Sequence, residues 1–196
     1  MMPSMLRVAR AKELFGELGI PVSFLEYALE NNSGRNNPYH NNHHLLTVML
    51  RCAEGADYYG LSVDDKRNLV VAGLFHDYNH SLSNDDAENI RKSVAGWTDY
   101  KDLFAIVGVS ASEVERLIAA TVFPHKDATD LGSEIIQDAD LMQSLEPDAE
   151  SFFKGLSVEA GVRIDAETTR IWISQQHINT QWAKNEVAKH FPGNAV

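Results

Sequence analysis

The chain has a single cysteine, Cys52, among its 196 residues, so no internal disulfide can form, which fits a reducing compartment. Long hydrophobic runs are missing too: none approaches the ~20 residues that a membrane-spanning helix needs. The opening residues, Met1-Met2-Pro3-Ser4-Met5-Leu6-Arg7, lack the apolar stretch of a signal peptide. Positive charge is scarce. With 17 Lys and Arg against 28 Asp and Glu, the net charge of -11 argues against a nucleic-acid polymer as partner, because phosphate backbones are bound by cations. A small anionic substrate stays compatible with that balance, provided a metal offsets the local charge. No β alternation of useful length, no repeat and no low-complexity tract is visible. The 44% hydrophobic content at this length suits one core and is short for two. These absences predict a cytoplasmic single-domain protein without a membrane partner.

What is present is helical patterning around one unusual stretch. The apolar run Leu69-Val70-Val71-Ala72-Gly73-Leu74-Phe75 leads straight into His76-Asp77-Tyr78-Asn79-His80. A helix over 62–80, capped by Ser62 with Asp64 and Asp65 in its first turn, would put His76 and His80 on one face. Unpaired imidazoles and a carboxylate carried into an apolar interior are costly, and a bound cation would compensate them.

Other segments supply further candidate ligands. Residues 7–18 and 21–30 read as two lead-in helices without chemistry. Asn31 to Pro38 is turn composition, followed by Tyr39-His40-Asn41-Asn42-His43-His44 at the polar start of a helix, where His40 and His44 would share a face. Helices are predicted over 84–96, with Asn84 as a cap, and over 110–122, with His125 just past its end; 97–109 is undecided. Residues 131–145 place Asp138 and Asp140 within an apolar face, where unpaired carboxylates are rare. Asp138 is read as orienting a ligand or capping a turn, the first being preferred. Residues 148–161 and 165–190 complete an all-α chain: 1–30 as lead-in, 39–145 as core, 148–190 as C-terminal helices. Imidazole nitrogen with carboxylate oxygen suits one or two divalent ions of Zn, Mn, Mg or Fe, and a helical bundle can aim such ligands into one core.

In order and context, His44, His76-Asp77 and Asp140 resemble the H…HD…D signature of the HD superfamily of metal-dependent phosphohydrolases, whose helical-bundle fold is therefore expected. Tyr39-His40-Asn41-x-x-His44 with Val48, His76-Asp77-x-x-His80-x-x-x-Asn84 and Ala120-Thr121-x-x-x-His125 further resemble motifs of the cyclic-nucleotide phosphodiesterases. The chain departs from those enzymes at Thr47 and Asn79, where they carry Asp, and at Ser81-Leu82, where they carry Pro-Gly.

The resemblance implies that His44, His76, Asp77 and Asp140 hold the tighter ion, with Asp77 also reaching a second one. It implies that His40 is the general acid for the leaving oxygen, a role suited to an imidazole. Tyr39, His80, Asn84 and His125 would then line the substrate pocket. The expected activity is hydrolysis of a cyclic nucleotide or similar small phosphodiester by a metal-activated hydroxide. The alternatives are a nucleotide phosphomonoesterase or guanosine-tetraphosphate hydrolase and, from another class, a di-iron oxygenase using His80 and His125 as extra ligands. A non-catalytic module that keeps the metal as a staple is a further reading. Residues 1–30 form a dimer surface or simply cover the core.

Overall fold

A computed structural model describes residues 3–83, 85–125 and 127–190, apart from the side chains of 3, 4, 166, 170 and 173–175. Its elements are α1 (Pro3–Glu17), α2 (Val22–Asn31), α3 (Asn42–Tyr58), α4 (Val63–Phe75), α5 (Asp86–Thr98), α6 (Lys101–Ala105), α7 (Ala111–Ala119), α8 (Leu131–Leu141), a 3-10 turn (Met142–Leu145), α9 (Ala149–Ala160), α10 (Ala166–Gln175) and α11 (Gln181–His190). There is no strand among the described residues, so the fold is all-α as expected.

Several helix starts follow from side-chain caps. Asn41 accepts from the His43 and His44 amides, Ser62 from Asp65, Ser110 from Glu113 and Asp130 from Ser133. α4 is buried along its whole second half, from Asn68 to Phe75, which makes it the central rod of the bundle. α3 lies against it, α7 and α8 flank the pair, and α1 packs on α3. Gly73 sets the closest approach of α3 and α4. A Cβ there would lie 2.9 Å from the Met49 Cα, so only glycine lets the two backbones meet this closely.

Some expected boundaries are corrected. α4 stops at Phe75 with His76 as its C-cap, rather than running to residue 80. Asn79 sits at a positive φ of 61, a left-handed conformation that no helix continues through and that Asn tolerates. His76 and His80 are therefore not successive turns of one helix. His40 likewise precedes α3, which begins only at Asn42, so it does not share a helical face with His44. The expected 165–190 helix is two, α10 and α11, and the undecided 97–109 stretch contains the short α6. Asn84 lies outside the described residues; α5 starts at Asp86, after Asp85 as its N-cap.

Candidate metal centre

The close crossing of α3 and α4 brings His44, in the first turn of α3, against His76 and Asp77, just past the end of α4. Asp140 reaches them from the last turn of α8. One donor atom from each of these four residues lies within 4.8 Å of the others, a group that could hold a metal ion. The Nε2 atoms of His44 and His76 are 2.9 Å apart. Asp77 Oδ2 lies 2.9 Å from the first and 3.1 Å from the second. Asp140 Oδ1 is 3.5 Å and 3.4 Å from the same two atoms. Ligand bonds of about 2.0–2.1 Å imply polyhedron edges of roughly 3.0 Å for an octahedron and 3.3 Å for a tetrahedron. The donors fit a cation of that size.

The proton positions agree with that fit. His76 Nδ1 donates to the Gly73 carbonyl at 2.9 Å, which turns its Nε2 toward the cluster. Burial holds the His44 imidazole below its ordinary pKa, which favours the neutral form that a ligand requires. Burial alone would push the Asp77 carboxyl up, but the neighbouring His76 and His40 and hydrogen bonds from His44 and His76 hold it well below the usual range. For His76 burial again opposes the charged form, yet Asp77 and Asp140 draw its pKa well above normal. The pocket attracts positive charge, and two carboxylates beside two buried imidazoles need it.

A second layer surrounds the donors. His40 Nδ1 donates to Glu159 Oε2 at 2.5 Å, while Glu159 Oε1 accepts from the backbone amides of Tyr39 at 2.6 Å and His40 at 3.0 Å. This clasp leaves His40 Nε2 3.8 Å from Asp77 Oδ2. Burial works against a charged His40, but Asp77 and Glu159 outweigh it and raise its pKa. The His80 ring stacks on His40 with centroids 3.7 Å apart, delivered by the turn after α4 and not by helical spacing. Burial and the adjacent His40 push His80 down to about 4, so it stays neutral. His125 Nε2 lies 3.8 Å from Asp140 Oδ2. The Tyr39 ring tilts against His44 at 4.9 Å. Tyr39, His40, Asp77, His80, Asp140 and Glu159 line a cleft of about 500 Å³ that also includes Asp86 and Trp172, whereas His125 is not among its lining residues.

Glu159 is the residue that sequence reading missed. It belongs to α9, where Gly155, one turn earlier on the same face, offered the only local signal. A Cβ at Gly155 would lie 2.1 Å from the Pro38 carbonyl oxygen, so α9 presses directly on the loop carrying His40. Asp138 does not orient a donor. Fully buried, it accepts from the Asn179 and Thr180 amides and the Thr180 hydroxyl, and so braces the entry to α11. Two departures from the phosphodiesterase pattern are structural here: Thr47 donates to the His43 carbonyl, and Asn79 accepts from Ser33. His43, beside the site, instead stacks on Phe152 and contacts Asp148 at 2.9 Å and Arg7 at 2.7 Å.

No curated protein shows a detectable match to the chain. The family model of the HD domain matches residues 42–145, just over half of the chain. That span contains all four converging donors and the helices that carry them, α3, α4 and α8. By this match the chain belongs to the HD superfamily of metal-dependent phosphohydrolases.

Proposed function

We propose that the protein is a phosphodiesterase acting on a cyclic nucleotide or a similar small phosphodiester. The observation that carries this reading is the Glu159–His40 pair at the edge of the donor cluster. His44, His76, Asp77 and Asp140 would hold the divalent ion, and the coordination-sized spacing of their donor atoms supports that assignment. When bound, one or two such ions polarise the phosphoryl oxygens and acidify an attacking water.

The chain's own groups do the rest. Glu159 fixes the Nδ1–H of His40, so the second ring nitrogen points toward Asp77 and the cleft. A proton held at His40 Nε2 passes to the leaving ester oxygen as the P–O bond breaks. Asp77, 2.9 Å from His44 and 3.8 Å from His40, links the donor cluster to the acid. Among the described residues, the cleft's titratable lining is the carboxylates Asp77, Asp86, Asp140 and Glu159 with the imidazole His40 and the neutral His80. Cationic charge for the substrate then comes from the ions and protonated His40. That suits the single charge of a phosphodiester better than a dianionic monoester or a tetraphosphate.

The test is product analysis with Mn²⁺, Mg²⁺ or Zn²⁺ and an EDTA control. Substrates are 3′,5′-cyclic nucleotides, cyclic dinucleotides, 5′-mononucleotides and guanosine tetraphosphate. Metal-dependent conversion of a diester to its monophosphate is expected. His40→Ala should keep the bound metal and lose roughly 10²–10⁴-fold in kcat. Release of phosphate or pyrophosphate from monoesters alone overturns the diester assignment. Two bound irons with oxygen consumption overturn hydrolysis itself.

A further inference from the structure

Four carboxylates line the cleft, and among the described residues no Lys or Arg lines it with them. Three of the four are accounted for. Asp77 and Asp140 belong to the donor cluster, and Glu159 is bonded to the His40 imidazole. Asp86 is the fourth. It opens α5, where an acid suits a helix N-terminus, and it lines the cleft together with Leu82, Ser83 and Phe123. Its Oδ2 accepts from the Phe123 amide at 2.6 Å, which ties α5 to the segment leading to His125. Its other oxygen has no partner, and no cation pairs with it, among the described residues. A half-buried carboxylate without a counter-charge projects its field across the cleft. Burial, with the charges on Asp77 and Asp140, pushes the Asp86 carboxyl up despite the Phe123 amide. Such coupling is reciprocal, so a charge on Asp86 is felt at the donor cluster, where a phosphate would sit.

The reaction proposed above changes the charge of the phosphate. A diester carries one negative charge. Hydroxide bonds to phosphorus, the ester P–O bond breaks, and the leaving oxygen takes the His40 proton, with water as the only co-reactant. The monoester left behind loses its second proton at a pKa of about 6, so at neutral pH and above it is mostly a dianion. Substrate and product thus differ by one negative charge at the same position. A carboxylate fixed nearby penalises the product, and any other monoester, more than the diester.

We propose that Asp86 is a specificity-determining residue of the cleft, whose charge discriminates against phosphomonoesters as substrates and expels the monoester product. The proposal rests on the phosphodiester reading above and names the group that enforces it. The Phe123 amide fixes where that charge stands.

The test uses the full chain loaded with Mn²⁺ at pH 8 and two substitutions. Asp86→Asn removes the charge but keeps an oxygen for the Phe123 amide, whereas Asp86→Ala removes both. Kinetics on bis(4-nitrophenyl) phosphate and 4-nitrophenyl phosphate give the diester-to-monoester ratio of kcat/KM. Both variants should lower that ratio about tenfold, and the product 4-nitrophenyl phosphate should inhibit them at about tenfold lower concentration. Calorimetry with sulfate, a dianion, and methanesulfonate, a monoanion of similar shape, supplies a readout without turnover. Asp86→Asn should bind sulfate about tenfold tighter, with methanesulfonate changed less. Equal changes on both esters, or a ratio that moves in Asp86→Ala alone, make Asp86 a brace for the Phe123 segment and overturn the proposal. Loss of bound manganese from Asp86→Asn by elemental analysis overturns it too, by making Asp86 an ion ligand. Diester turnover with no shift in either readout removes the charge filter and leaves the phosphodiesterase reading standing. No ester cleavage, with sulfate still gaining on methanesulfonate in Asp86→Asn, does the reverse. A loaded chain that binds neither anion and cleaves neither ester sinks both.

Discussion

At the scale of single residues, the site divides into what the sequence makes legible and what it hides. His44, His76, Asp77 and Asp140 stand out because imidazoles and carboxylates are out of place in apolar helices, and their order along the chain reinforces that signal. What the fold adds is their convergence through the Gly73 crossing. Glu159 could not be read this way. Its partner lies 119 residues away, and an acid on an amphipathic helix looks like ordinary solvated surface. Under the proposed mechanism its hydrogen bond to Nδ1 makes it a positioning residue for His40. Glu159→Gln keeps an oxygen for the Tyr39 and His40 amides but replaces the carboxylate at His40 Nδ1. We expect kcat to fall roughly 10–100-fold, with bound metal unchanged when measured by elemental analysis. Loss of metal in that variant would mean that Glu159 supports the donors and not the acid.

At the scale of elements, capping chemistry made some helix starts readable: Ser62 acts as the cap where expected, and Ser110 caps the helix that begins at the expected 110–122 segment. Helix ends were harder. No Gly or Pro follows α4 to mark its end; beyond it the left-handed Asn79 is held by the Asn32 and Ser33 hydrogen bonds. The break between α10 and α11 depends on Asp138 pinning residues 179 and 180 from 41 and 42 positions away. Such long-range ties leave no local signature. The docking of α9 on the Pro38–His40 loop is of the same kind and gives a sharp prediction. Gly155→Ala forces a methyl group against the Pro38 carbonyl, so α9 or the loop must shift. Overpacking of this kind costs about 1–3 kcal/mol. Urea unfolding should register that loss, and kcat should fall alongside it because His40 moves with the loop. A variant of full stability and unchanged kcat would show that the contact is soft.

At the scale of the whole molecule, the net charge of -11 is partly organised by one cationic tie. Arg7 of α1 bonds Glu146 at 2.6 Å and Asp148 at 2.7 Å, and Arg51 of α3 reaches Glu146 from the other side. This network fastens the lead-in helix to the start of α9. The Arg7 guanidinium, with help from His43, holds the Asp148 carboxyl down at about 2. A carboxyl that is depressed on folding contributes stability above its unfolded pKa of about 4, and that contribution fades as pH falls toward 2. Arg7→Met should therefore lower Tm by roughly 2–4 °C near pH 7, and the gap from wild type should narrow between pH 4 and pH 2. A gap that is constant with pH would mean that Arg7 acts through packing on Phe152, over which it lies at 5.6 Å.

The Glu159–His40 clasp has one more consequence. Its two halves lie on opposite sides of the span that matches the HD domain, residue 40 just before it and residue 159 after it. The four converging donors thus lie within a single continuous block, while the pair proposed to deliver the proton is assembled from its two flanks. On the proposed reading, a substitution in α9 alters the proton donor without touching any of the four converging donors.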